Sequence, residues 1–171
     1  MFRKLAVIGS SLWYWLALAL LGVAFESVAL YYQHVLDELP CVLCIHVRLL
    51  MLLLILVAVA GMVVHRIRWL NAAAHLLTVL VAAVLLERSY QLLGTERGFT
   101  FSDCGFDLGL PSWLALDSWF PAVFQVQTSC GYTPELLFGI TMAEALIVFS
   151  VGFVLLSLAM SFASIVKTYN K

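Results

Sequence analysis

The stretch LCIHVRLLMLLLILVAVAGMVV, residues 43–64, decides the fold. After His46 and Arg48 near its start, it contains no polar side chain. A membrane-crossing helix needs roughly 20 mostly apolar residues. Lipid offers the backbone no hydrogen-bond partners, so such a run must be helical. Three further segments read the same way: about Leu12–Tyr32, Trp69–Leu86 (or on to Leu93) and Leu136–Phe162. The chain is 64% hydrophobic and only 11% charged, whereas a soluble domain carries about a quarter charged residues. Most of the surface therefore faces hydrocarbon. The nine basic residues form no run, which argues against a nucleic-acid partner. The expected fold is an all-α membrane protein: a four-helix transmembrane bundle, residues 1–171 forming a single membrane domain.

Arg3 and Lys4 precede the first apolar stretch, as in a signal sequence. That stretch is too long for a signal core and no small-residue cleavage site follows it, so it is expected to stay as an anchor. The connections are unequal. Residues 33–42 form a short loop, His65-Arg66-Ile67-Arg68 a tight turn, and about 91–135 a long loop holding Pro111, Pro121 and Pro134. Arg3, Lys4, Arg66, Arg68, Lys167 and Lys171 fall on one side of a four-span bundle. Asp37, Glu38, Glu96, Asp103, Asp107, Asp117 and Glu135 fall on the other. The positive-inside rule makes the basic side cytoplasmic. Both termini are then inside, and the first and third loops outside. In the long loop, Pro111–Pro121 carries Trp113, Leu114, Leu116, Trp119 and Phe120 and is too short to span. It suits a short interfacial helix; a plain structured loop with buried aromatics is the competing expectation.

All four cysteines, Cys41, Cys44, Cys104 and Cys130, fall in or beside the two outer loops. An even count in an oxidising compartment reads as two pairs. Cys41-Val42-Leu43-Cys44 is a C-x-x-C motif at the mouth of the second span, where a helix N-terminus favours the thiolate. Cys104 and Cys130 lie 25 residues apart in the long loop. A bridge between them would serve as a staple or as a partner in thiol–disulfide exchange. Zinc is disfavoured, because only one pair has short spacing, and no metal is expected. Arg48 follows Cys44 by four residues and Cys41 by seven, on one helix face. A cation inside the boundary either snorkels to headgroups or stabilises a thiolate and an acceptor gaining electrons. Glu26, in the first span, is either a functional carboxyl or one balanced within the bundle, with Arg48 as the partner at hand. For Glu87 and Glu144 a structural role is expected.

These residues resemble the disulfide bond formation protein B (DsbB) family. The resemblance rests on Tyr32-Gln33-His34-Val35, Pro40-Cys41-Val42-Leu43-Cys44-Ile45, Arg48, Phe101-Ser102-Asp103-Cys104, Pro111-Ser112-Trp113-Leu114, Leu116-Asp117, Trp119, Pro121 and Cys130. It implies a protein-dithiol:quinone oxidoreductase of the bacterial inner membrane with periplasmic cysteines. A DsbA-like thioredoxin-fold protein would attack a Cys104–Cys130 disulfide at Cys104. Cys130 would hand the electrons to Cys41–Cys44. Cys44, with Arg48, would meet ubiquinone or menaquinone. The family often has an acidic residue before the arginine, where this chain has Val47 after His46; a paralogue with a dedicated partner is one reading of that departure. A non-enzymatic membrane protein with stapled loops is a second. A vitamin K epoxide reductase-like enzyme is a third, which the position of C-x-x-C opposes.

Overall fold

In a computed structural model of the chain, residues 2–100, 105, 107–137 and 139–169 are described. Phe101, Ser102, Asp103 and Cys104 lie outside the described residues. A short helix α1 (Phe2–Gly9) leads to α2 (Leu12–Val35), α3 (Val42–Val64) and α4 (Arg68–Arg97). Two single-turn helices follow, α5 (Leu116–Trp119) and α6 (Pro121–Phe124), then α7 (Met142–Tyr169). Four of these, α2, α3, α4 and α7, are long and apolar enough to cross a membrane. The expected four-helix bundle is what the chain forms.

Spatial neighbours follow the chain: α2 packs on α3, α3 on α4, α4 on α7, and α1 against α7. Trp15, Leu54, Ala58 and Ala82 are fully buried at the centre. Leu20, Leu56, Leu80 and Leu155 stay exposed on the outer faces, as they can when the surrounding medium is hydrocarbon. Away from the cysteines, Gly61 of α3 admits the Trp15 ring; a Cβ there would stand 2.4 Å from it. The Trp15 indole N–H donates to Asn71 Oδ1 at 3.1 Å, giving the buried ring the polar partner it needs. At the cysteine end α2 and α7 leave a seam between them. Below it, the Phe25 and Phe149 rings close the gap at 4.4 Å.

Two expected boundaries move and one expected helix divides. The sequence reads the third span as ending near Leu86 or continuing to Leu93, with the loop from about 91; α4 runs on to Arg97. Its polar last turns hold themselves helical: Arg88 donates to Gln91 Oε1 (3.1 Å), and Gln91 donates to Glu87 Oε1 (2.8 Å). Gly98, at φ 74°, then ends the helix in the left-handed conformation, its N–H returning to Gly94 and Thr95. The fourth span was expected from Leu136; α7 starts at Met142. Before it, β1 (Glu135–Leu137) and β2 (Ile140–Thr141) pair antiparallel through a turn at Gly139, φ 78°. The Thr141 hydroxyl accepts from Glu144 N–H (3.3 Å), and the Glu144 carboxylate accepts from Thr141 N–H (3.1 Å). This capping box fixes where α7 begins. Last, the segment 111–121 is not one short helix. A 3-10 turn (Ser112–Leu114), α5 and α6 are separated at Ala115 and Phe120. Pro121 explains the second break, since the residue before a proline avoids helical backbone. Trp113, Trp119 and Phe120 remain exposed along it.

Candidate active site at the cysteine end of the bundle

The site is built at the start of α3. Cys41 is its N-cap, in extended backbone, and its sulfur accepts from Cys44 N–H at 3.4 Å. One helical turn brings the two sulfurs to 2.9 Å, in contact as thiols. The side chains diverge in surroundings. Cys41 is 1% exposed, whereas Cys44 lines a cavity. The hydrogen bond from Cys44 holds the Cys41 thiol down from its usual 9.0 to about 7; burial opposes the shift, and backbone N–H groups of the first turn reinforce it. Stabilisation of a thiolate at a helix N-terminus is thus realised at Cys41.

The long loop is stitched to this point. The Pro40 carbonyl accepts from Gln127 N–H (3.0 Å) and Thr128 N–H (3.4 Å), and Cys41 forms a parallel bridge with Thr128. Two residues on, Cys130 packs into the hydrophobic cluster around Cys41. Cys130 is disulfide-bonded. The fourth candidate cysteine, Cys104, lies outside the described residues. His46 donates through Nε2 to the Leu108 carbonyl (3.0 Å), a second stitch between α3 and the loop.

Arg48 is 5% exposed and does not reach toward headgroups. It donates through Nη1 to Gln33 Oε1 and to the Val123 carbonyl (2.9 Å), and through Nη2 to the Ala29 carbonyl (3.0 Å). Gln33 in turn donates to the Ala122 carbonyl (3.1 Å). Arg48 and Gln33 therefore clamp α6 onto α2 and α3. The Arg48 Nε–H is left with no protein partner. Gln33 lies in the Tyr32–Val35 segment that carries the family resemblance; a buried amide anchoring a loop has no local signal, because its partner is 89 residues away.

Behind the C-x-x-C lies a cavity of about 380 Å³. Cys44, Arg48, Glu26 and Gln33 give it its polar edge, and Phe25 and Met51 are among its apolar walls. It occupies the seam, bounded by α2, the first turns of α3, Leu92 of α4 and the start of α7. Val47 also lines it, so the departure at that position makes one wall apolar. Glu26 has an oxygen, Oε1, buried without a partner. Among the described residues no ion pair joins Glu26 to Arg48; the ion pair present joins Arg97 to Glu144. Glu87 and Glu144 take the structural roles expected of them, in the α4 ladder and the α7 cap.

The family model "Disulfide bond formation protein DsbB" matches residues 11–160. Disulfide bond formation protein B of Shewanella loihica is 36% identical over 135 residues, covering 78% of this chain and 79% of that protein. The protein of the same name from Shewanella sp. (strain MR-4) is 31% identical over 158 residues, covering 92% and 90%. Disulfide bond formation protein B 2 of Pseudomonas aeruginosa is 33% identical over 132 residues, covering 76% and 78%. With its four apolar helices and its cysteine pair at a helix mouth, this chain belongs to the DsbB family of disulfide bond formation proteins.

Proposed function

We propose that the chain is a protein-dithiol:quinone oxidoreductase that reoxidises a DsbA-like thioredoxin-fold protein at the periplasmic face of the bacterial inner membrane. One observation carries this reading: the apolar cavity directly behind the C-x-x-C, with Cys44 and Arg48 on its wall. Its fit to a quinone rests on apolar walls and on the Arg48 Nε–H without a protein partner. A carbonyl compound is what a buried, unsatisfied donor calls for. A quinone bound there, ubiquinone or menaquinone, supplies a two-electron acceptor.

The residues divide the work. The partner's thiolate attacks Cys104 in the Cys104–Cys130 disulfide, releasing Cys130. Cys130, packed on the cluster that contains Cys41, attacks Cys41 of the oxidised pair and frees Cys44. The partner's second thiol displaces Cys104, and the partner leaves as a disulfide. Cys104 then takes Cys130 back, leaving Cys41–Cys44 reduced. Cys41 is the last sulfur to leave, and the hydrogen bond from the freed Cys44 that holds its thiol down to about 7 makes it a good leaving group in that step. Cys44 then faces the cavity, and the Arg48 charge stabilises negative charge gathering there. Arg48 also keeps α6 in place, so it sets the wall of the cavity as well as its charge.

The test combines purified full-length protein, a reduced DsbA-like protein and ubiquinone, with quinone absorbance followed. Wild type should consume quinone in step with partner oxidation, and Cys44→Ser should not. Intact disulfides with no quinone consumed would sink the reading. Arg48→Ala should raise the quinone KM by about tenfold or more, the size of one charge-assisted hydrogen bond.

A further inference from the structure

We propose that Glu26 is the proton-carrying residue of the cavity, handing on one of the two protons that accompany the electrons from Cys41–Cys44. The inference rests on the quinone reading above and adds a catalytic residue to it.

The argument starts from the polar atoms left open. Glu26, Ala29 and Gln33 stand on one face of α2, at i, i+3 and i+7. Ala29 and Gln33 are the α2 groups that hold Arg48. Glu26 is the next polar group along that face, seven residues and about 10 Å deeper than Gln33. It lines the cavity, and its Oε1 is buried without a partner. Arg48 makes no hydrogen bond to it: Nη1 donates to Gln33 and the Val123 carbonyl, Nη2 to the Ala29 carbonyl, and no ion pair joins the two. The Arg48 charge lies near enough to act on this carboxyl but does not touch it, and a carboxyl at membrane depth with an unpartnered oxygen is a functional residue by default. On the wall of a cavity that Arg48 also lines, it completes a set of one cationic donor and one proton-exchanging group.

Proton supply is the step this set performs. When Cys41 and Cys44 close into a disulfide, two S–H bonds break, one S–S bond forms, and two electrons and two protons leave the pair. Both electrons and two protons are taken up by the quinone. Glu26 gives one proton to a quinone oxygen and regains one of the two released by the thiols. The other reaches the quinone at the Cys44 end. The remaining carboxyl on the cavity wall, Glu38, lies in the α2–α3 connection with its N–H bonded to the Tyr32 carbonyl. It stands at the mouth, so the deep end depends on Glu26.

The test is redox-induced infrared difference spectroscopy on full-length protein with a short-chain ubiquinone, beside turnover and equilibrium quinone binding. Wild type should show a change in a carboxyl C=O band that vanishes in Glu26→Gln and is displaced in Glu26→Asp. Glu26→Gln should lower kcat about 100-fold while leaving the quinone dissociation constant within about twofold, with partial rescue by Glu26→Asp, as for loss of a general acid–base group. A group that merely balanced the Arg48 charge would change binding and leave the band unmoved. Wild type without a carboxyl change overturns the proposal, and so does Glu26→Gln at the wild-type kcat. If Glu26→Gln does not fold, a band that fails to move between wild type and Glu26→Asp overturns it. Wild type that consumes no quinone overturns the quinone reading as well; quinone turnover with an indifferent Glu26→Gln overturns the Glu26 assignment alone.

Discussion

Cys41 and Cys44 have the same side chain, three residues apart, and the fold makes them different. Cys41 sits outside the first turn and accepts hydrogen bonds; Cys44 sits inside it and donates. The reduced protein should show a thiolate, read by ultraviolet absorbance, that titrates at about 7. Cys41→Ser should abolish that step. Cys44→Ala should move it upward, because the strongest hydrogen bond to Cys41 is lost. The sign for stability follows. A thiol held below its unfolded value stabilises the reduced fold fully above that unfolded value, and the gain is lost as pH falls through about 7. Reduced protein should therefore resist denaturation better at pH 9 than at pH 6, approximate values bracketing the shift. Sequence alone supplied the motif and its place at a helix N-terminus. It could not assign the lower value to Cys41, because that depends on which sulfur faces the hydrogen-bond donors.

Elements end where local chemistry stops them, and hydropathy sees only part of this. The α2 and α3 segments were legible because their apolar runs and their helices nearly coincide. For α4 the apolar run stops a helical turn or more before the helix does; Glu87, Arg88 and Gln91 end the hydropathy signal but not the backbone ladder. For α7 the run starts early, and Gly139 with the Thr141–Glu144 box decides the start. Thr141→Ala should remove that cap and lower stability in detergent by about 1 kcal/mol, seen as a reduced Tm without loss of the cysteine pairs. The clamp on α6 was not legible. It joins Arg48 and Gln33 to backbone carbonyls far along the chain, and no periodicity announces a carbonyl acceptor.

At the scale of the whole molecule, the bundle is tight at one end and parted at the other. The tight end depends on Gly61, where α3 admits the Trp15 ring. Gly61→Val should push the ring away and destabilise the bundle by about 1–3 kcal/mol or more, an overpacking effect measurable as a lower Tm. The same change should leave the Cys41 titration in place, since it acts at the far end of α3. The parted end holds the cavity in the α2–α7 seam, and its lining includes Ala24 and Val28, which are exposed on the outer face of α2. The seam therefore meets hydrocarbon sideways. For the proposed quinone, filling then follows its mole fraction in the surrounding lipid or micelle. Doubling the detergent at fixed total quinone should about double the apparent KM, as dilution within the apolar phase requires.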